Sequence, residues 1–129
     1  MKKLLFISMV VLATTNAQAK IWRVNNNAGI VADFSSLTAA VSSASVLSGD
    51  TIHVEPSATT YTGPTISKQL VIIGNGYFLT GAGGNNGLQA TITESSIGDF
   101  RFASGSAGTK LIGLVLQNNS FAAGYNGNV

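Results

Sequence analysis

The chain has no cysteine and only two prolines among its 129 residues. Without thiols there is no disulfide framework, no zinc finger or ribbon, and no lipid attachment at a cysteine behind a leader. Histidine occurs once, at His53. Charge is scarce as well, at 9% of residues, and the formal net charge of +2 comes from Lys2 and Lys3. Beyond them, Lys20, Arg23, Lys68, Arg101 and Lys110 are balanced by Asp33, Asp50, Glu55, Glu94 and Asp99. No basic patch is left to neutralise phosphates, which argues against a nucleic-acid partner. Gly, Ser, Thr and Asn are abundant, but 45% hydrophobic residues and low net charge exclude the usual disordered composition. An all-β chain with many tight turns fits better.

The N-terminus carries an export pattern. Lys2 and Lys3 precede an apolar run from Leu4 to Ala13 broken only by Ser8, and Ala17-Gln18-Ala19 suits a peptidase that accepts small side chains. Residues 1–19 therefore read as a signal peptide, and 20–129 as one exported domain. The apolar run is about half the ~20 residues that span a bilayer, and no stop-transfer pattern follows. No transmembrane segment is expected after cleavage; the destination is the periplasm, the cell surface or the medium.

One helix is expected, in DFSSLTAAVSSASVLSGD, residues 33–50. Phe34, Leu37, Ala40, Val41, Ala44 and Leu47 recur in steps of three and four on one face, with Ser35 or Ser36 as N-cap and Gly49 as the stop. Short alternating runs follow: 51–55, 69–73, 77–79, 90–93, 100–102 and 112–116, about every 10 residues. Strong hairpin turns are few, Asn75-Gly76 being the best. A lone amphipathic helix ahead of all the strands is hard to place in a sandwich but suits the lid of a solenoid, where it covers strand edges. Coils of roughly 20 to 25 residues, stacked at ~4.8 Å, would give three to four coils.

Residues 34–79 resemble the N-terminal cap and first coil of right-handed parallel β-helix proteins of the pectate-lyase-like superfamily. The elements carrying the resemblance are Ala39, Ala40 and Val41; Gly49-Asp50-Thr51-Ile52 with Val54; Pro56 and Tyr61-Thr62-Gly63; and Ile66, Lys68, Leu70, Ile72 and Gly74. Residues 104–119 look like a later coil. The resemblance implies an all-β solenoid behind a capping α-helix. Pectate-lyase-type members carry acidic calcium clusters and an Arg or Lys base in later coils. This chain has no matching motif: Asp99 and Arg101 share a strand face without a second carboxylate. No catalytic residue, cofactor site or metal site carries over. With no evident C-terminal cap, the chain is expected to be a fragment of a longer protein.

His53 and Glu55 lie two apart in a strand whose Ile52 and Val54 point inward, so both are expected on the outer, solvated face. A metal would need a third ligand and an acid–base pair a cleft. GAGGNNG, residues 81–87, misses the dinucleotide fingerprint at Asn86 and reads as an inter-coil loop. Asn118-Asn119-Ser120 reads as a coil corner. Thr91-x-Thr93 alone is too short a rank for an ice-binding face. Among the aromatics, Tyr61 and Tyr125 lie in loop-like segments and are the candidate ligand-binding residues, able to stack on sugar rings; Trp22 and Tyr77 are expected to pack against cap or core.

The expectation is an exported, non-catalytic β-helix protein acting as a cell-surface or extracellular binding or adhesive module, with polar, uncharged outer faces. Its partner would be an extracellular polysaccharide or another surface protein. The alternative is the N-terminal part of a polysaccharide lyase or glycoside hydrolase whose catalytic coils lie beyond residue 129.

Overall fold

A computed structural model describes residues 19–76 and 93–117. They form strands β1 (Ile21–Val24), β2 (Thr51–Val54), β3 (Thr65–Ile66), β4 (Val71–Gly74), β5 (Ser96–Ile97), β6 (Arg101–Phe102), β7 (Lys110–Ile112) and β8 (Val115–Leu116), with helix α1 (Leu37–Ser42) between β1 and β2. The fold is all-β in class, and every strand pair is parallel. Parallel neighbours need a crossover rather than a hairpin, which accords with the scarcity of hairpin turns in the sequence.

Three sheets are visited in a fixed order. The first holds β1-β2-β4-β7, the second β3-β6 and the third β5-β8. Tyr61 extends the third sheet through a parallel bridge to Ile97. After β2 the chain thus passes through the third, second and first sheets, repeats that circuit through β5, β6 and β7, and re-enters the third at β8. Tyr61 precedes Ile66 by the same five-residue step as Ile97 precedes Phe102, and those two pairs are themselves in register. The circuits differ in length. Ile52 pairs with Ile72 20 residues on, whereas Ile72 pairs with Leu111 39 residues on, beyond the expected coil.

Register decides the core. Trp22, Ile52, Ile72 and Leu111 form one inward column of the first sheet, and Val24, Val54 and Gly74 the next. Ile52 and Val54 are fully buried and Ile72 nearly so; burying each such side chain is worth roughly 1.5–3 kcal/mol. Tyr61, Ile66, Leu70 and Ile97 complete the core from the other walls, and Phe100, Phe102, Leu111 and Leu114 pack partly against it. Gly74 allows a close approach: a Cβ there would stand 2.5 Å from Gly113 O and 2.8 Å from Ser95 Cβ.

The helix is much shorter than its hydrophobic spacing suggests. It runs for six residues, with Ser36 as the N-cap accepting from the Ala39 N–H. At Ser43 the backbone turns extended, with ψ 135°. The serines that follow favour local bonds over a helical ladder: Ser42 Oγ donates to Thr38 O, and Ser43 Oγ accepts from Ser45 N–H. Leu37, Ala40 and Val41 are buried as expected. Ala44 and Leu47 are exposed, and Val46 takes the buried place instead. The Lys68 ammonium holds this exit by donating to the carbonyls of Ser43 and Val46 at 2.8 and 2.7 Å.

The strands bring further corrections. Helix α1 does not stand before all of them, because β1 precedes it. Strands β3 and β5 are two-residue elements too short to show a period. Residues 112–116 are not one strand: Gly113, at φ +62°, turns the chain between β7 and β8, which lie in different sheets. The run expected at 77–79 and residues 90–92 of the next lie outside the described residues.

Candidate functional site

The outer face of the first sheet carries the His53–Glu55 pair. Parallel pairing sets Arg23 of β1 directly beside His53 of β2, and beyond them Ile73 and Ile112. The neighbouring rank reads Ile21, Thr51, Val71 and Lys110. This face is therefore not the polar, uncharged surface expected: β4 is apolar on both sides, and Val71, Ile73 and Ile112 are only partly covered.

Glu55 is engaged at both oxygens. Arg23 Nε donates to Oε1 at 2.5 Å, and Asn25 Nδ2 donates to Oε2 at 2.6 Å. Asn25 Oδ1 in turn accepts from both the backbone and side-chain N–H groups of Asn27, whose Oδ1 accepts from Ser57 Oγ. Burial raises the Glu55 carboxyl pKa, but the hydrogen bonds from Arg23 and Asn25 and the charges of Arg23 and His53 outweigh it, leaving the pKa below its usual value. The hydrogen bond from Arg23 and its attraction to Glu55 raise the guanidinium pKa in turn. A general base needs an available lone pair and a pKa near the working pH. Glu55 instead ties β1 to β2, and His53 stands beside that tie as the outside of a strand.

A second carboxylate is more deeply placed. Asp50 is only 3% exposed. Its Oδ1 accepts from the Lys20 N–H at 2.9 Å, and its Oδ2 from Trp22 Nε1 at 2.8 Å and from the Leu47 N–H at 2.9 Å. Burial raises its pKa, yet these donors and the Lys20 charge bring it below the usual carboxylate value. The Lys20 ammonium lies 3.4 Å from the centroid of the Trp22 ring, and that ring packs at 5.6 Å on Phe34 and against the core, as expected.

Tyr61 corrects the sequence reading. It is only 2% exposed, so its ring cannot stack on a sugar. Its hydroxyl lies 2.9 Å from the carbonyl oxygen of Glu55, to which it donates, and accepts from the Asn26 N–H at 3.3 Å. Burial raises its pKa. Asp99 and Arg101 are both exposed, and Arg101 pairs with Thr65 across the second sheet. Tyr77, the 81–87 loop, Asn118-Asn119-Ser120 and Tyr125 lie outside the described residues. Among the described residues, no group of three or more acidic or histidine side chains could hold a metal ion, and no helix is long and apolar enough to cross a membrane.

Arg23 and Asn25 could not be assigned to Glu55 from sequence, because their meeting depends on β1 pairing in register with β2. The signal that could have found them is the alternation in Ile21–Val24 ahead of the helix. For Asp50 the signal was its place before an alternating run, where a short acid can bond neighbouring backbone. Comparison with protein-family models, with curated proteins and with solved structures gives no match to this chain.

Proposed function

We propose that this chain is an exported right-handed parallel β-helix module of the pectate-lyase-like kind: a capping helix and the first coils of a solenoid, serving as a non-catalytic binding or adhesive element at or beyond the cell surface. The observation that carries this reading is the fixed circuit through three parallel sheets, with Tyr61 above Ile97 and Ile66 above Phe102. Parallel crossovers within one sheet are right-handed in nearly all proteins, which supports the hand. The cap role of α1 rests on its buried Leu37, Ala40 and Val41 and on the Lys68 bonds to its exit.

The binding role, rather than catalysis, is supported by how the acids are used. Glu55 and Asp50 spend their oxygens on structural donors, leaving neither placed to take a proton from a substrate. Export is supported by the leader pattern over residues 1–19. The proposed partner is an extracellular polysaccharide or another surface protein.

The test is to express the full chain in a bacterial host, recover the exported fraction, and incubate it with polygalacturonate. Recovery outside the cytoplasm, retention on the polymer and no new chain ends support the proposal. A product confined to the cytoplasm overturns export, and release of shortened polymer overturns the non-catalytic role.

A further inference from the structure

The nitrogen of Lys20 occupies an unusual place for the residue that follows a small-x-small cleavage pattern. It lies 2.9 Å from Oδ1 of Asp50, an almost fully buried carboxylate. Its position is fixed on the other side of the residue too, because the Lys20 carbonyl accepts from the Thr51 N–H at 2.9 Å and starts the register of the first sheet. Ala19 and Lys20 are exposed, so the bond between them is at the surface while the nitrogen's acceptor is not.

We propose that cleavage between Ala19 and Lys20 converts this backbone nitrogen into an ammonium paired with Asp50, an ion pair that the uncleaved chain cannot make. The inference rests on the export reading. Cleavage is a hydrolysis by a peptidase that accepts small residues. Water adds across the peptide bond, its oxygen going to the Ala19 carboxyl and a hydrogen to the Lys20 nitrogen, which then takes a further proton at neutral pH. The same atom passes from a neutral donor with one hydrogen to a cation with three, and needs no displacement to keep its bond to Asp50.

The surroundings favour that charge. Asp50 is otherwise hydrogen-bonded by the neutral dipoles of Trp22 Nε1–H and the Leu47 N–H, while the Lys20 side-chain ammonium acts on it through space from its place over the Trp22 ring. On β1, Arg23 is committed to Glu55, and on β2 His53 points to the outer face. The loop from Ser43 to Gly49 has no titratable side chain, and the Lys68 ammonium is held at Ser43 and Val46. An opposite charge at hydrogen-bond distance raises an amine's pKa. The folded value therefore lies above the ~7.7–8.0 of a free α-amino group. The added stability is complete below that unfolded value and is lost as pH rises through the folded one.

The experiment uses the full chain with its own leader. Exported product is collected, its N-terminus is read by mass, and its α-amine is titrated by the pH dependence of acylation. Asp50→Asn and a chain with one glycine inserted between Ala19 and Lys20 are treated alike. The insertion keeps the amide bond to Asp50 but moves the new amine one residue away, and so serves even where Asp50→Asn does not fold. The expected result is a product beginning at Lys20 whose amine titrates at least one unit above the ordinary range, with roughly tenfold less free amine at a pH below both values. The inserted product titrates normally. A product that begins at Lys20 with an ordinary amine overturns this inference and leaves the export reading standing. A chain that keeps its leader inside the cell overturns the export reading, and an exported product beginning elsewhere overturns the cleavage site on which the pair depends.

Discussion

The ammonium of Lys68 donates to the carbonyl oxygen of Ser43 at 2.8 Å across 25 residues of sequence. The same nitrogen reaches Val46 O at 2.7 Å. One side chain from the first circuit therefore holds both carbonyls just past the end of helix α1. Losing the hydrogen bonds of a charged donor of this kind costs about 1.5–3 kcal/mol. Lys68→Met should lower stability by an amount in that range, measured as a shift in the urea midpoint at unchanged slope. An unchanged midpoint would mean that the helix is held by its apolar face alone.

The acid limb of stability should come from Glu55 and Asp50. Both have folded pKa values below their unfolded ones, despite the opposing effect of burial. Their stabilisation is present above the unfolded carboxylate values of about 3.9–4.3 and is lost as pH falls through the folded values. Glu55→Gln should flatten the fall in thermal midpoint below about pH 4 while leaving the neutral-to-alkaline profile unchanged. An equally steep acid limb in the variant would remove Glu55 from this role.

Gly74 should tolerate no side chain. Its Cβ would meet Gly113 O at 2.5 Å and Ser95 Cβ at 2.8 Å, and backbone cannot yield as a flexible side chain does. Overpacking of this kind costs about 1–3 kcal/mol. Gly74→Ala should show that loss in a denaturant titration, and Gly74→Val more.

Tyr61→Phe keeps the buried ring and removes the hydroxyl shared by Glu55 O and Asn26 N. Each lost bond is worth about 0.5–1.5 kcal/mol. The variant should unfold at a lower midpoint, while the retention on polygalacturonate proposed for the wild-type chain should be unchanged in it. Loss of binding with an unchanged midpoint would return Tyr61 to the ligand surface.

Alternation made part of the inner columns legible: Ile52 and Val54 were placed correctly because a strand's period of two is visible wherever one face is buried. The helix was overestimated for a related reason. Ala44 and Leu47 continue the three-and-four spacing, but spacing records only where apolar residues fall, not whether serines divert the backbone. The first strand was missed because its partner lies 30 residues away, across the helix. The acids show the same limit. The outward direction of Glu55 follows from its neighbours in sequence, whereas its bonds to Arg23 and Asn25 depend on register between distant strands. Tyr61 looked exposed because it follows a polar loop, yet its bridge to Ile97 turns it inward.

The free side of β1 is already occupied. Phe34 donates to Arg23 O and accepts from the Asn25 N–H, and Asp33 Oδ2 accepts from the Arg23 N–H. At Arg23 and Asn25, therefore, this edge of the first sheet offers no free backbone row to a strand from another molecule. The protection comes from two residues outside the named strands, Asp33 and Phe34.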